Sequence, residues 1–221
     1  MAMMKATRRP PGAPARAAGT SEAILDTAER LVQTLGYNGF SYADIAAELG
    51  VTKASLHYHY ASKAELGRVL IERYHAAFMA ALAVIDAEVA APCEKLERYV
   101  GLYDGVMRND RMCLCGMLAA EHRTLPATMQ AQLQQFFDAN EIWLTGVLEQ
   151  GVRSGAFAFG ERPRERARVV LGALEGAMLV ARSYEDPRRF RAAADYVLAD
   201  LCKRTAPAAR AGSGRGRRAR G

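Results

Sequence analysis

The stretch Ser41–Leu66, SYADIAAELGVTKASLHYHYASKAEL, constrains this chain more than any other, because its spacing suits two short helices joined by a tight turn. Ile45 and Leu49 lie one helical turn apart, and Leu56 falls where a second helix would bury it. Ala46 is small where the second helix must cross the first, and Gly50 can take the left-handed conformation that closes a helix. Ser41 predicts an N-cap, Asp44 favours the positive helix end, and Thr52 predicts the next cap. Ser62 and Glu65 have the S-x-x-E spacing of a capping box, so a third helix starts near Lys63 and runs through Leu66, Val69, Leu70 and Tyr74.

With Leu56 facing inward, the outward face of the second helix carries Lys53, Ala54, His57 and Tyr58, with Thr52 and Ser55 at its edges. Short polar and basic side chains so placed can read base edges in a major groove, while hydroxyls, Lys63 and a helix N-terminus hold phosphates. Ser41, Tyr42 and His59 complete the candidate DNA-binding set.

These residues resemble the TetR family of bacterial regulators, whose DNA-binding unit reads as a first helix, then F-S/T-x-x-D-I-A, G-V-x-x-x-x-L-Y-x-H-F and S-K-x-x-L. The resemblance covers Ser21 to about Tyr74 through Gly36, Phe40, Ser41, Asp44, Ile45, Ala46, Gly50, Val51, Leu56, His59, Ser62, Lys63 and Leu66. His57 stands where the family usually has Tyr, and Tyr60 replaces the usual Phe. The resemblance implies an all-α fold of about nine helices. A three-helix helix-turn-helix domain is expected at 21–66, and a helical effector-binding and dimerisation domain at 67–203. It also implies a homodimeric repressor on a palindromic operator, released by a small molecule, and not an enzyme.

The chain has 221 residues and a net charge of +6, but that charge is unevenly spread. Residues 1–20 hold Lys5, Arg8, Arg9 and Arg16, residues 204–221 hold six arginines, and the middle is left with 20 basic against 24 acidic residues. Both tails are rich in Ala, Gly and Pro without apolar periodicity, so they are expected to be disordered and to add phosphate attraction. The longest apolar run, Val169 to Ala181, is broken by Glu175 and too short to span a bilayer, so a cytoplasmic protein with no membrane partner is expected. Cys93, Cys113, Cys115 and Cys202 are too few and too irregularly spaced for a secreted disulfide framework, and all are expected to be reduced.

The pattern stays helical to the end. Helices are expected over Ser21–Leu35, closed by Gly36, then Lys63 to about Val89, Glu94–Met107, Leu114 to about His122, and Ala127–Val152. The last two, about 164–183 and 187–202, are the expected dimer helices: Asp186 and Pro187 make a clean start, and Gly172, Ala173, Gly176 and Ala177 admit a close neighbour.

The segment RMCLCGMLAAE, Arg111–Glu121, is the second informative place. Cys113 follows Arg108 and Arg111 at the start of a short helix, a setting that favours thiolate. The segment resembles the G-C-L-x-G-x-L-x-x-E stretch of a subset of TetR-family regulators, some of which respond to electrophiles or oxidants through the aligned cysteine. Here Met112 replaces the preceding glycine and Cys115 is extra. The alternatives are a noncovalent pocket lined by Met117, Glu121, Phe136, Trp143 and Glu175, metal sensing by Cys113, Cys115 and His122, and, from another class, a thiol–disulfide enzyme. No cofactor is expected. A carboxylate in an apolar run needs a partner, so Glu175 pairs with a group such as Arg182, or meets a polar ligand or the dimer mate.

Overall fold

A computed structural model describes residues 13–202, with side chains from residue 19. Among the described residues every regular element is helical: α1 (Ala13–Leu35), α2 (Tyr42–Leu49), α3 (Lys53–His59), α4 (Lys63–Glu88), α5 (Pro92–Met107), α6 (Leu114–Ala120), α7 (Ala127–Arg153), α8 (Pro163–Ser183) and α9 (Pro187–Leu201), with a 3-10 turn at His122–Thr124. Helix α1 starts at Ala13 rather than Ser21, so residues 13–20, expected in a disordered tail, are helical. The remainder of both expected tails, residues 1–12 and 203–221, lies outside the described residues.

The first four helices bury a shared apolar core. Ile24 and Ala28 of α1, Ile45 of α2 and Leu56 of α3 are each fully buried. Full burial of such a side chain contributes about 1.5–3 kcal/mol, so these few positions hold the short α2 and α3, which could not persist alone. Arg73 of α4 forks to Asp26 at 2.7 Å and Glu29 at 2.6 Å on α1, fixing the long helix against the first.

Helices α4 to α9 close around aromatic side chains. Phe78 meets Phe136 at 5.3 Å and Tyr103 at 6.1 Å between ring centres, edge to face. Tyr99 and Tyr103 share a hydroxyl contact of 3.0 Å, and Tyr99 donates to the buried Asn140 side-chain oxygen at 3.1 Å. A polar chain is thereby satisfied inside the core. Helix α8 packs most extensively on α9 and α7.

Cys93, at the start of α5, is disulfide-bonded to Cys202, just past α9, with 5.7 Å between their Cα atoms. This corrects the expectation of four reduced cysteines. The spacing of 109 residues gave no local signal for the pair. Cys113 and Cys115 are free thiols.

Candidate nucleic-acid interface and effector site

The turn between α2 and α3 is built as its caps dictate. The Ser41 hydroxyl accepts the Ala43 amide at 3.1 Å, and the Asp44 carboxylate accepts the Ser41 amide at 2.7 Å. The Ser41 hydroxyl also donates to the Asp44 carboxylate at 2.8 Å, and this bond, with that of the Ser41 amide, holds the Asp44 carboxyl below the usual carboxylate range. Gly50 sits at φ 65°, in the left-handed region, and Thr52 accepts the Ser55 amide at 3.2 Å. The exposed face of α3 carries Lys53, Ala54, His57 and Tyr58, flanked by exposed Thr52 and partly covered Ser55 and His59. Tyr58 is 82 % exposed, an unusual position for a large aromatic, with only the His59 ring set edge-on to it at 5.2 Å among its ring contacts. His57 is braced from behind, with a ring nitrogen 3.1 Å from the Ala61 carbonyl and the Tyr42 ring 4.9 Å away.

Two residues of the expected DNA-facing set turn inward. Tyr42 is buried and donates its hydroxyl to the Tyr60 carbonyl at 3.0 Å, and burial pushes its phenol up to about 12. Lys63 donates to the Tyr37 carbonyl at 2.5 Å and also to the Phe40 carbonyl, with its ammonium 4.1 Å from the centre of the Phe40 ring. Its ammonium is thus held against the α1–α2 connection, and desolvation lowers its pKa although Glu121 and Asp44 oppose the shift.

The end of α1 and the same α1–α2 connection are gripped by α6 and α8. The Glu121 carboxylate, at the end of α6, accepts the Tyr37 amide at 2.6 Å and the Asn38 amide at 3.2 Å. Gly36 takes φ 84°, and a Cβ on it would lie 2.9 Å from Glu121 Oε1, so a side chain there would disturb both turn and carboxylate. Arg182 of α8 donates to the Gln33 carbonyl at 3.0 Å and also to the Thr34 carbonyl, and the Met112 amide reaches Gln33 at 3.2 Å. These contacts satisfy donors and acceptors left open where α1 ends. Glu121 was expected in a ligand pocket; it is a tether between helices, a role that only the fold makes visible.

Behind α6 lies a buried polar cluster. Cys113 occupies the N-cap position of α6 without a side-chain capping bond, and its sulfur is 3.8 Å from the Tyr74 hydroxyl. Cys113 and Cys115 are essentially inaccessible, and burial, reinforced by Glu175, raises the Cys113 thiol well above its ordinary range. The expected thiolate bias is therefore reversed: desolvation outweighs the helix terminus, and Arg108 points away to pair with Asp104 at 2.5 Å. Glu175 packs directly on Gly116, where any Cβ would collide with its carboxylate. Neither Glu175 oxygen has a hydrogen bond of good geometry, although the Cys113 thiol and Tyr103 hydroxyl are its polar neighbours. Burial pushes its carboxyl up to about 7. Arg182, a suggested partner, is committed to α1 instead.

Beside Glu175 a cavity of about 330 Å³ opens between α6, α7 and α8, with Ala119, Ala120, Phe137, Leu171 and Leu179 among its walls. The other expected pocket residues scatter. Phe136 is core, Met117 lies with its sulfur 3.8 Å from an Arg182 nitrogen, and Trp143 stacks on Tyr99 at 5.3 Å while donating its indole N–H to Asp86 at 2.9 Å. Among the described residues no group of His, Cys, Asp and Glu side chains converges as a metal site, and Cys113, Cys115 and His122 do not form one. No described helix is long and apolar enough to cross a membrane.

Comparison with known proteins agrees with this geometry. The family model for bacterial regulatory proteins of the tetR family matches residues 24–68. The HTH-type transcriptional repressor NemR of Escherichia coli K12 is 25% identical over 180 residues, 75% of this chain and 87% of that protein. A TetR-family transcriptional regulator from Agrobacterium tumefaciens superposes with a TM-score of 0.82 at 32% identity, over 84% of this chain and 99% of that one. A TetR transcriptional regulator from Legionella pneumophila does so at 0.76 and 31% identity, over 82% and 97%. With a capped helix pair that presents Lys53, His57 and Tyr58, and a helical body gripping its first helix, this chain belongs to the TetR family of bacterial transcriptional regulators.

Proposed function

We propose that the protein is a transcriptional repressor that binds a palindromic operator as a homodimer and lets go when a small molecule occupies the chamber beside Glu175. Lys53, Ala54, His57 and Tyr58 read base edges, while Ser41, Thr52, Ser55 and His59 set the register on phosphates. The unit spanning 21–66 is the reader and 67–203 the effector and dimer body. The outer faces of α8 and α9 expose Val169, Val180 and Tyr196, apolar surface suited to a second copy. Pairing there would set the two α3 helices about one DNA turn apart, ~34 Å. The arginine-rich stretches outside the described residues add sequence-independent attraction. The protein works in the cytoplasm, where its operator is.

The observation that carries the control step is the placement of Glu121 and Arg182. Both hold the end of α1, and each sits on a helix whose other residues line the chamber: Gly116 on α6, Glu175 on α8. A ligand that shifts either helix changes the grip on α1, and a coupling of about 1–3 kcal/mol is ordinary for such systems. Footprinting of the purified protein on its own upstream DNA tests the reading. A protected palindrome, altered in base preference by Lys53→Ala or Tyr58→Ala, supports it; protection that ignores sequence refutes it.

A second reading has an electrophile or oxidant acting on Cys113, as the resemblance of RMCLCGMLAAE implies. Burial and the raised thiol pKa slow that chemistry, so it requires α6 to open first. Mass spectrometry of protein released from DNA by an electrophile separates the readings: an unmodified Cys113 eliminates the covalent one.

A further inference from the structure

We infer that the chamber between α6, α7 and α8 takes a small organic cation, a protonated amine on a compact apolar body, whose ammonium is met by the Glu175 carboxylate. This rests on the reading of the chamber as the effector site. Glu175 is among the residues lining the chamber, its carboxylate oxygens are buried, and neither has a hydrogen bond of good geometry. A buried charge without a counter-ion is costly, and a natural structure keeps one where a ligand completes it.

The nearby protein groups do not supply that counter-ion. Arg168, at the rim, pairs with Glu141 at 3.0 Å, and Arg182, two turns along α8, is held by the carbonyls at the end of α1. Cys113 and Tyr103 are neutral donors that can orient the carboxylate but cannot neutralise it. The remaining walls are apolar, with Phe137 offering an aromatic ring to a cation. An anion would be repelled here, and a neutral apolar ligand would leave the carboxylate as it found it. The 330 Å³ volume limits the body to one ring and a short chain.

The titratable groups that face Glu175 are Tyr74 from α4, Tyr99 and Tyr103 from α5, and Cys113 and Cys115 from α6. All are pushed upward by burial and stay neutral between pH 6 and 8, whereas Glu175 itself titrates near 7. Amine affinity should therefore rise roughly tenfold across that range.

The test uses the full chain without DNA and three matched series as probes: benzylamine, 2-phenylethylamine and 3-phenylpropylamine, the corresponding alcohols, and the corresponding carboxylates. Calorimetric titration should show at least one amine binding the wild type ten or more times tighter than its alcohol, with carboxylates weakest. Glu175→Gln, an isostere that keeps the packing on Gly116, should erase the amine preference while retaining the helical circular dichroism signal. Alcohols that bind as tightly as amines would overturn the cation inference and leave the chamber as an effector site. Absence of binding by every member of all three series would overturn both. Loss of the dimer in Glu175→Gln, with no amine binding to the wild type, would mean that the second copy supplies the counter-ion, and the inference falls.

Discussion

The Glu121 carboxylate accepts the Tyr37 amide at 2.6 Å across 84 residues of chain. One side chain at the end of α6 thereby caps the turn that leads into the DNA-reading helices, and takes the Asn38 amide as well. Charge-assisted bonds to backbone amides are among the stronger ones a protein makes.

Glu121→Ala should therefore free both amides. We expect a loss of about 1–3 kcal/mol in stability and faster hydrogen exchange at Tyr37 and Asn38, while Ala43 and Ser55, whose caps are local, exchange as before. Unchanged protection at Tyr37 would show that the tether is not formed in solution.

Lys63→Met should act on stability rather than on DNA affinity. The carbonyls of Tyr37 and Phe40 lose their donor, which costs about 1–3 kcal/mol when the groups are shielded from water. Operator binding measured across a salt series should keep its slope, whereas loss of a true phosphate contact would lower the slope by about one.

Glu175 makes the protein less stable as the medium becomes more alkaline. Burial raises its carboxyl from 4.5 to about 7, so between those values the folded chain keeps a proton that the unfolded chain has released, and stability falls as pH rises. The contribution reaches roughly 3 kcal/mol by pH 8. Wild type and Glu175→Gln should melt at similar temperatures near pH 4.5, with the variant several degrees higher at pH 8. Parallel melting curves across that range would contradict the assignment.

Reduction of the Cys93–Cys202 bond should lower the melting temperature, because the bond closes a loop of more than a hundred residues. Loops of that length correspond to as much as about 4–5 kcal/mol in the chain-entropy treatment. Cys93→Ser should melt at the lower temperature with or without reductant; a wild type indifferent to reductant would show that the bond is open in solution.

The sequence carried the groove-facing unit well because its signals are local. Caps at Ser41, Thr52 and Ser62, the turns at Gly36 and Gly50, and the inward Leu56 depend on neighbours within a few positions. Where residues meet across long separations, spacing was silent. Tyr42 and Lys63 look groove-facing in sequence and Glu121 pocket-facing, and each is claimed by a partner at least 18 residues away. Cys113 misled for a related reason: its flanking arginines are visible in the chain, whereas the shell that desolvates it comes from other helices. Glu175 stood out because a carboxylate inside an apolar run is anomalous at any range. A pocket at Glu175 was expected, but its other walls could not be foreseen, since they arise from how three helices pack.

The grip on α1 has an evolutionary corollary. Glu121, Arg182 and Met112 hold peptide amides and carbonyls, not side chains. The residues that read bases can therefore be exchanged for others without retuning the hold, and the chamber can change its lining without touching the DNA face. Descendants of such a protein can acquire new operators and new inducers independently, with the same mechanical joint inherited between them.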